Sequence, residues 1–163
     1  MASEKIVYKE GLEVHFSLDE KDTNKQLVVF KCIIPPKSRV PVRHYHKKFD
    51  ETVYGLRGVT TYFVDGKTLL LNPGDTIFIP RGVVHGFVNK SKETTEFICY
   101  INPGIFGAAY FRDLAEVINK KGLPDVDKIM EIMKRDGLVP VIDFKHALLF
   151  TIVRIIRFLK NKK

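Results

Sequence analysis

The sequence predicts a mainly β domain, a small sandwich or barrel, followed by an α-helical extension. Two observations predict it. Between residues 5 and 101, short strand-like runs recur at a spacing of roughly 8–12 residues, with turn signals between them. At Asn102-Pro103-Gly104 that pattern breaks, and apolar residues begin to recur at helical spacing. With 163 residues, 45% of them hydrophobic and 28% charged, the chain suits one soluble domain with a substantial core.

Residues 27–34 are rich in β-branched and aromatic side chains and end at Pro35-Pro36, as a strand would. Val40, Val42, His44 and His46 alternate with Pro41, Arg43 and Tyr45, which puts both histidines on one face of a strand. Thr60, Tyr62 and Val64 form another same-face set, and Asp65-Gly66 is a two-residue hairpin turn. Leu69 and Leu71 follow, then the turn Asn72-Pro73-Gly74-Asp75, then Ile77 and Ile79 ahead of Pro80. His85 and Phe87 open the next strand, and residues 94–101 make the last.

Beyond Gly104, Phe111, Leu114, Ala115 and Ile118 form a helical stripe with Gly122 as its C-cap. Pro124 suits the first turn of a second helix, whose stripe is Ile129, Ile132 and Met133 and whose end is Gly137. Residues 138–143 read as a connector to a last segment, 144–163. The chain thus divides into 1–103, a barrel with a site; 104–143, a helical extension of the same domain; and 144–163, a basic amphipathic helix.

The net charge is +8, but residues 144–163 hold six Lys or Arg and no acid, leaving +2 for the rest. The basicity belongs to the tail, so no nucleic-acid partner is expected for the main domain. Cys32 and Cys99 sit in apolar strand-like runs, as buried free thiols do, and a reducing, cytoplasmic setting is expected. The opening Met1-Ala2-Ser3-Glu4-Lys5 has no apolar signal-peptide core, and without secretion the sequon at Asn89 carries no meaning.

Two stretches read as halves of one metal site. His44 and His46 point the same way from a strand. Glu51 lies past the polar turn Lys47 to Asp50 and returns on the neighbouring strand. His85 is brought in by the turn Pro80-Arg81-Gly82. Three imidazoles and one carboxylate suit one divalent transition metal, Fe, Mn, Ni, Co, Cu or Zn, with one or two positions left open. They leave a net charge of about +1 on the ion, which attracts an anionic ligand. His15 and His146 have no partner at ligand spacing and are read as non-ligands.

His44-x-His46-x4-Glu51-x6-Gly58 resembles the first cupin motif. Gly74-x5-Pro80-x-Gly82-x2-His85-x3-Asn89 resembles the second, with every position filled. One departure is Ser38, where the first motif usually opens with Gly, a change in a turn and not in a ligand. The resemblance covers about residues 27–101 and implies a double-stranded β-helix, the jelly-roll barrel of that family, with the metal near its axis. The stretch from Pro103 through Leu138, with Gly122-Leu123-Pro124-Asp125 between its helices, resembles the extension of small single-domain cupins described as quercetinase-like.

Val42, Tyr62, Ile77, Phe87, Phe97 and Cys99 are expected to face the interior as core packing and as walls of a pocket for a small-molecule ligand. A mostly apolar wall favours an aromatic or otherwise hydrophobic ligand. Arg43 has the opposite parity to His44 and His46 and faces out, which counts against a sugar-phosphate site. The expected activity is a metal-dependent dioxygenase acting on an enol or phenol, with His44, His46 and His85 holding the ion and Glu51 also taking the hydroxyl proton. The alternatives are a non-catalytic ligand-binding module and a sugar isomerase or epimerase. In the last segment, Phe144, Leu148, Leu149, Ile152, Ile155, Ile156, Phe158 and Leu159 cover about half the helix circumference. That face is expected to pack on the barrel or on a partner subunit, as in a homodimer. Peripheral contact with an anionic membrane is the alternative.

Overall fold

The computed structural model of the chain describes residues 4–40 and 42–160; the expectations that touch residues 1–3, Pro41 and 161–163 lie outside them. The strands are β1 (Lys5–Val7), β2 (Glu13–Leu18), β3 (Val28–Ile34), β4 (His44–His46), β5 (Asp50–Arg57), β6 (Thr60–Val64), β7 (Lys67–Leu71), β8 (Thr76–Ile79), β9 (His85–Val88), β10 (Thr95–Asn102) and β11 (Leu138–Pro140). The helices are α1 (Ala108–Ile118), α2 (Val126–Arg135) and α3 (Phe144–Lys160). The chain is mainly β, with the helices after the barrel strands, as its sequence predicts.

Among the described residues the strands form two antiparallel sheets, one of six in the order β1-β2-β3-β10-β5-β8 and one of five in the order β11-β4-β9-β6-β7. Their inner faces share one core. β3 alternates strictly, turning Val28, Phe30, Cys32 and Ile34 inward, and β10 does the same with Thr95, Phe97, Cys99 and Ile101. The Asp65-Gly66 hairpin forms as expected, with φ of 49° and 74°, the left-handed pair that a two-residue turn of this hand requires.

β4 is only three residues long and holds both motif histidines inward, with Tyr45 between them less buried. Val40 and Val42 fall outside it, Val42 at a bend. β4 is paired on both sides: His44 lies opposite His85 of β9, and Leu138 and Pro140 of β11 lie opposite His46 and His44. The expected connector therefore begins with a strand. Its three residues carry too little alternation to read as one, and they form it because β4 offers an open edge.

α1 ends at Asn119, earlier than a Gly122 cap would place it. The Asn119 side chain turns to the first strand, donating to the Val7 carbonyl at 2.9 Å and accepting from the Lys9 amide at 2.7 Å. Gly122, at φ 96°, lies in the following loop. Pro124 precedes the second helix and is not in its first turn, because Asp125 is the N-cap and accepts from the Lys128 amide. α3 does not pack its apolar face on the barrel. It meets α2, and Val153 is its buried residue among those described. No helix among the described residues is long and apolar enough to cross a membrane.

The motif asparagine is a structural clasp. Asn89 is fully buried and its amide donates to the carbonyls of Ile34 and Glu93 at 2.8 and 2.7 Å, while its oxygen accepts from the Ser91 amide and hydroxyl at 2.9 and 2.8 Å. With both hydrogen positions taken, the amide nitrogen is not available to carry a glycan. Asn89→Ala leaves buried groups unpaired and is expected to cost about 2–3 kcal/mol. Urea unfolding checks this; a change below about 0.5 kcal/mol would show that the bonds are not made.

Candidate metal centre

β4 and β9 are neighbours in the five-stranded sheet, so His44, His46 and His85 meet on its inner face. Their ligand-capable nitrogens all lie within 4.8 Å of one another. Glu51, at the start of β5, comes from the facing sheet and not from a strand hydrogen-bonded to β4, which corrects the sequence expectation. Its Oε2 lies 3.4 Å from His85 Nε2 and 3.7 Å from His46 Nε2. The four residues are thus gathered across the barrel interior.

Backbone carbonyls set the imidazole orientations. His44 Nδ1 faces the Val42 carbonyl at 3.2 Å and His85 Nδ1 faces the Val83 carbonyl at 2.9 Å. A proton on each Nδ1 donates to that carbonyl and leaves Nε2 as a lone pair facing inward. Val42 serves the site through this carbonyl as well as by its burial. His85 Nε2, which faces Glu51, is buried with no hydrogen-bond partner and is open to a ligand; His46 Nδ1, the ring nitrogen other than the one facing Glu51, and the Tyr62 hydroxyl are also buried without one.

The electrostatics favour a cation. Burial, with the His85 charge second, pushes His44 down to about 4, and burial pushes His46 down to about 3, so both are neutral lone-pair donors at neutral pH. Burial alone would raise the Glu51 carboxyl, but the His85 contact and the imidazole charges outweigh it and hold Glu51 down to about 2. Burial acts to lower His85, and its contact with Glu51 reverses that and raises it. Without a metal the site therefore holds an ionised carboxylate facing the His85 and His46 nitrogens, a negative charge placed where a cation would be held.

The residues fit a divalent ion. Ligand bonds of roughly 2.0–2.2 Å place ligand atoms at most about 4.4 Å apart, so the three imidazole nitrogens close by a few tenths of an ångström, with Glu51 standing outside that set beside His85 and His46. The side chain of Glu51 keeps 13% of its surface exposed against 2% and 3% for His46 and His85.

Tyr62, Phe87 and Phe97 pack ring on ring, with centroids 5.3–5.7 Å apart. Ile77 is partly buried beside this core, and Cys99 is buried with Cys32; both thiols are free and burial pushes both up, so they stay protonated. Burial and the Glu51 charge hold the Tyr62 hydroxyl well above its ordinary value, which makes it a proton donor in hydrogen bonds. His15 and His146 stand elsewhere, paired with Glu13 at 2.6 Å and Asp143 at 2.8 Å.

Two supports of the site escaped the sequence reading. Phe49 is buried and stacks on the His46 ring at 4.2 Å and on Phe106 at 4.9 Å, so the segment before α1 buttresses the strand that carries His44 and His46. The signal was an aromatic alone in the polar turn Lys47-Lys48-Phe49-Asp50. Arg81 donates to Asp50 from its amide, Nε and Nη2 at 2.8, 3.0 and 2.8 Å, and the Gly82 amide donates to the His46 carbonyl at 2.8 Å. Gly82, at φ 83°, makes that turn without strain. The turn leading to His85 is so fastened to the elements that carry His46 and Glu51.

The family described as Cupin domain matches residues 30–101. Quercetin 2,3-dioxygenase of Bacillus subtilis is 34% identical over 97 residues, which make up 60% of this chain and 28% of that one. The chain thus spans well under half of that relative. An uncharacterized protein of Aquifex aeolicus is 34% identical over 98 residues, 60% of this chain and 74% of the other. Among solved structures, a sugar phosphate isomerase from a cupin superfamily, from Silicibacter pomeroyi, superposes with a TM-score of 0.54 at 21% identity. That match covers 62% of this chain and 71% of the other, and the likeness is one of fold.

Proposed function

Because the chain belongs to the cupin family, we propose that its barrel holds one divalent transition metal on His44, His46, Glu51 and His85 and oxygenates a small enolic or phenolic compound. The observation that carries this reading is the Glu51 carboxylate, ionised and set 3.4 and 3.7 Å from two buried imidazole nitrogens. When bound, the ion supplies a positive charge that lowers the pKa of an enol or phenol hydroxyl and a redox partner for dioxygen.

The chain's own groups do the rest. His44 and His85 are held in register by the carbonyls of Val42 and Val83. Glu51 Oε2, ionised and facing the site, takes the hydroxyl proton of the substrate. Tyr62 donates its hydrogen to the substrate oxygen, and Phe87, Phe97, Ile77 and Cys99 keep water from the reacting face. Among the described residues no lysine or arginine is buried, and Arg43 lies over the Phe63 ring at 4.5 Å on the outside, which disfavours a sugar-phosphate substrate.

Oxygen uptake by metal-loaded protein, offered flavonols and simple enols, tests the reading. Uptake that requires both substrate and metal supports it. Saturable binding of the same compounds without uptake would make the chain a ligand-binding module. Rearranged product with no oxygen consumed would make it an isomerase.

A further inference from the structure

α3 is fastened to the domain along one narrow side. His146, Phe150, Val153 and Arg157 follow one face of the helix; Val153 is buried and the other three are half-buried. Two arginines fix the helix in rotation. Arg154 is paired with Asp127, while Arg157 pairs with Asp125 at 2.7 Å and donates to the Leu123 carbonyl at 2.9 Å. These contacts turn the opposite side of α3 away from the protein.

That opposite side is apolar. Phe144, Leu148, Ile152, Ile155, Phe158 and Leu159 fall within an arc of roughly 120° at helical spacing. Phe144 is 81% exposed and the other five are between 44% and 58% exposed. A face of this breadth is more than scattered surface residues amount to, and it marks a docking surface.

Charge decides the occupant. Residues 144–163 hold six Lys or Arg and no acid. Arg154 and Arg157 are taken up by α2 and its cap, whereas Lys145 and Lys160 stand exposed at the two ends of the helix. Two copies set face to face would bring like charges together around the apolar arc. An anionic lipid surface offers the opposite charge at headgroup level and an apolar layer beneath it. We propose that α3 lays this protein on an anionic membrane, with the apolar arc at the acyl boundary and Lys145, at the edge of that arc, among the headgroups.

The test is co-sedimentation of the whole chain with vesicles of phosphatidylcholine alone and of phosphatidylcholine with phosphatidylglycerol, at low and high salt. Binding is expected to the anionic vesicles, weakened by salt. Leu148→Glu/Ile155→Glu should lower it by about tenfold or more with the thermal midpoint unchanged, since both side chains are exposed. Failure to sediment with either vesicle would overturn the proposal, as would anionic binding that the double substitution leaves intact. A dimer in light scattering that dissociates on the same substitution, without vesicle binding, would assign the face to a second copy instead.

Discussion

Glu51→Gln is expected to lower the maximal rate of substrate-dependent oxygen uptake by about 10²–10⁴-fold at saturating metal. The replacement keeps the shape of the side chain and removes its charge and its capacity to take a proton. Glu51 Oε2 faces both His46 and His85, so the variant also loses the negative charge that offsets a cation among three imidazoles. Metal affinity should fall with the rate. Circular dichroism and thermal unfolding show whether the barrel is intact, and an oxygen electrode with metal in excess gives the rate. A folded, metal-saturated variant within tenfold of the wild type would remove Glu51 from the proton-transfer role.

Phe49→Ala is expected to cost about 3–5 kcal/mol of stability, the range for emptying a buried aromatic site. Phe49 is 1% exposed and lies between the His46 and Phe106 rings, so its loss opens a cavity that touches both the barrel and the helical extension. The effect should reach the site as well, because His46 loses the ring that fixes its tilt. Urea unfolding measures the first consequence and metal stoichiometry the second. Phe49→Leu, which keeps most of the volume, should recover the larger part of both. A loss below about 1 kcal/mol for the alanine variant would show that the stack is not packed as described.

Much of this arrangement is legible in the residues themselves. The alternation of His44 and His46, the Asp65-Gly66 turn and the in-out pattern of residues 28–34 all follow from the period of a strand. The glycines and prolines between Gly74 and Gly82 mark turns because few other residues adopt those conformations. What was not legible depends on partners distant in sequence. β11 is a strand because β4 has a free edge, and three residues ending in proline do not announce it. Glu51 arrives from the facing sheet, a relation that spacing along the chain does not encode. The Phe49–Phe106 stack joins residues separated by most of the barrel. The outward turn of α3 follows from Arg154 and Arg157 finding Asp127 and Asp125, pairings that the wheel of the helix alone does not contain.

His44, His46, Glu51 and His85 are expected to hold one metal together. Elemental analysis of protein purified without added metal, beside His44→Ala/His85→Ala, tests it most directly. About one first-row transition metal per wild-type chain, with less than roughly a tenth of that in a folded double variant, is the predicted result. Wild-type protein that carries no metal and takes none up on reconstitution with Fe, Mn, Ni, Co, Cu or Zn would contradict it. The barrel would then hold its ligands by its aromatic wall and the Tyr62 hydroxyl alone.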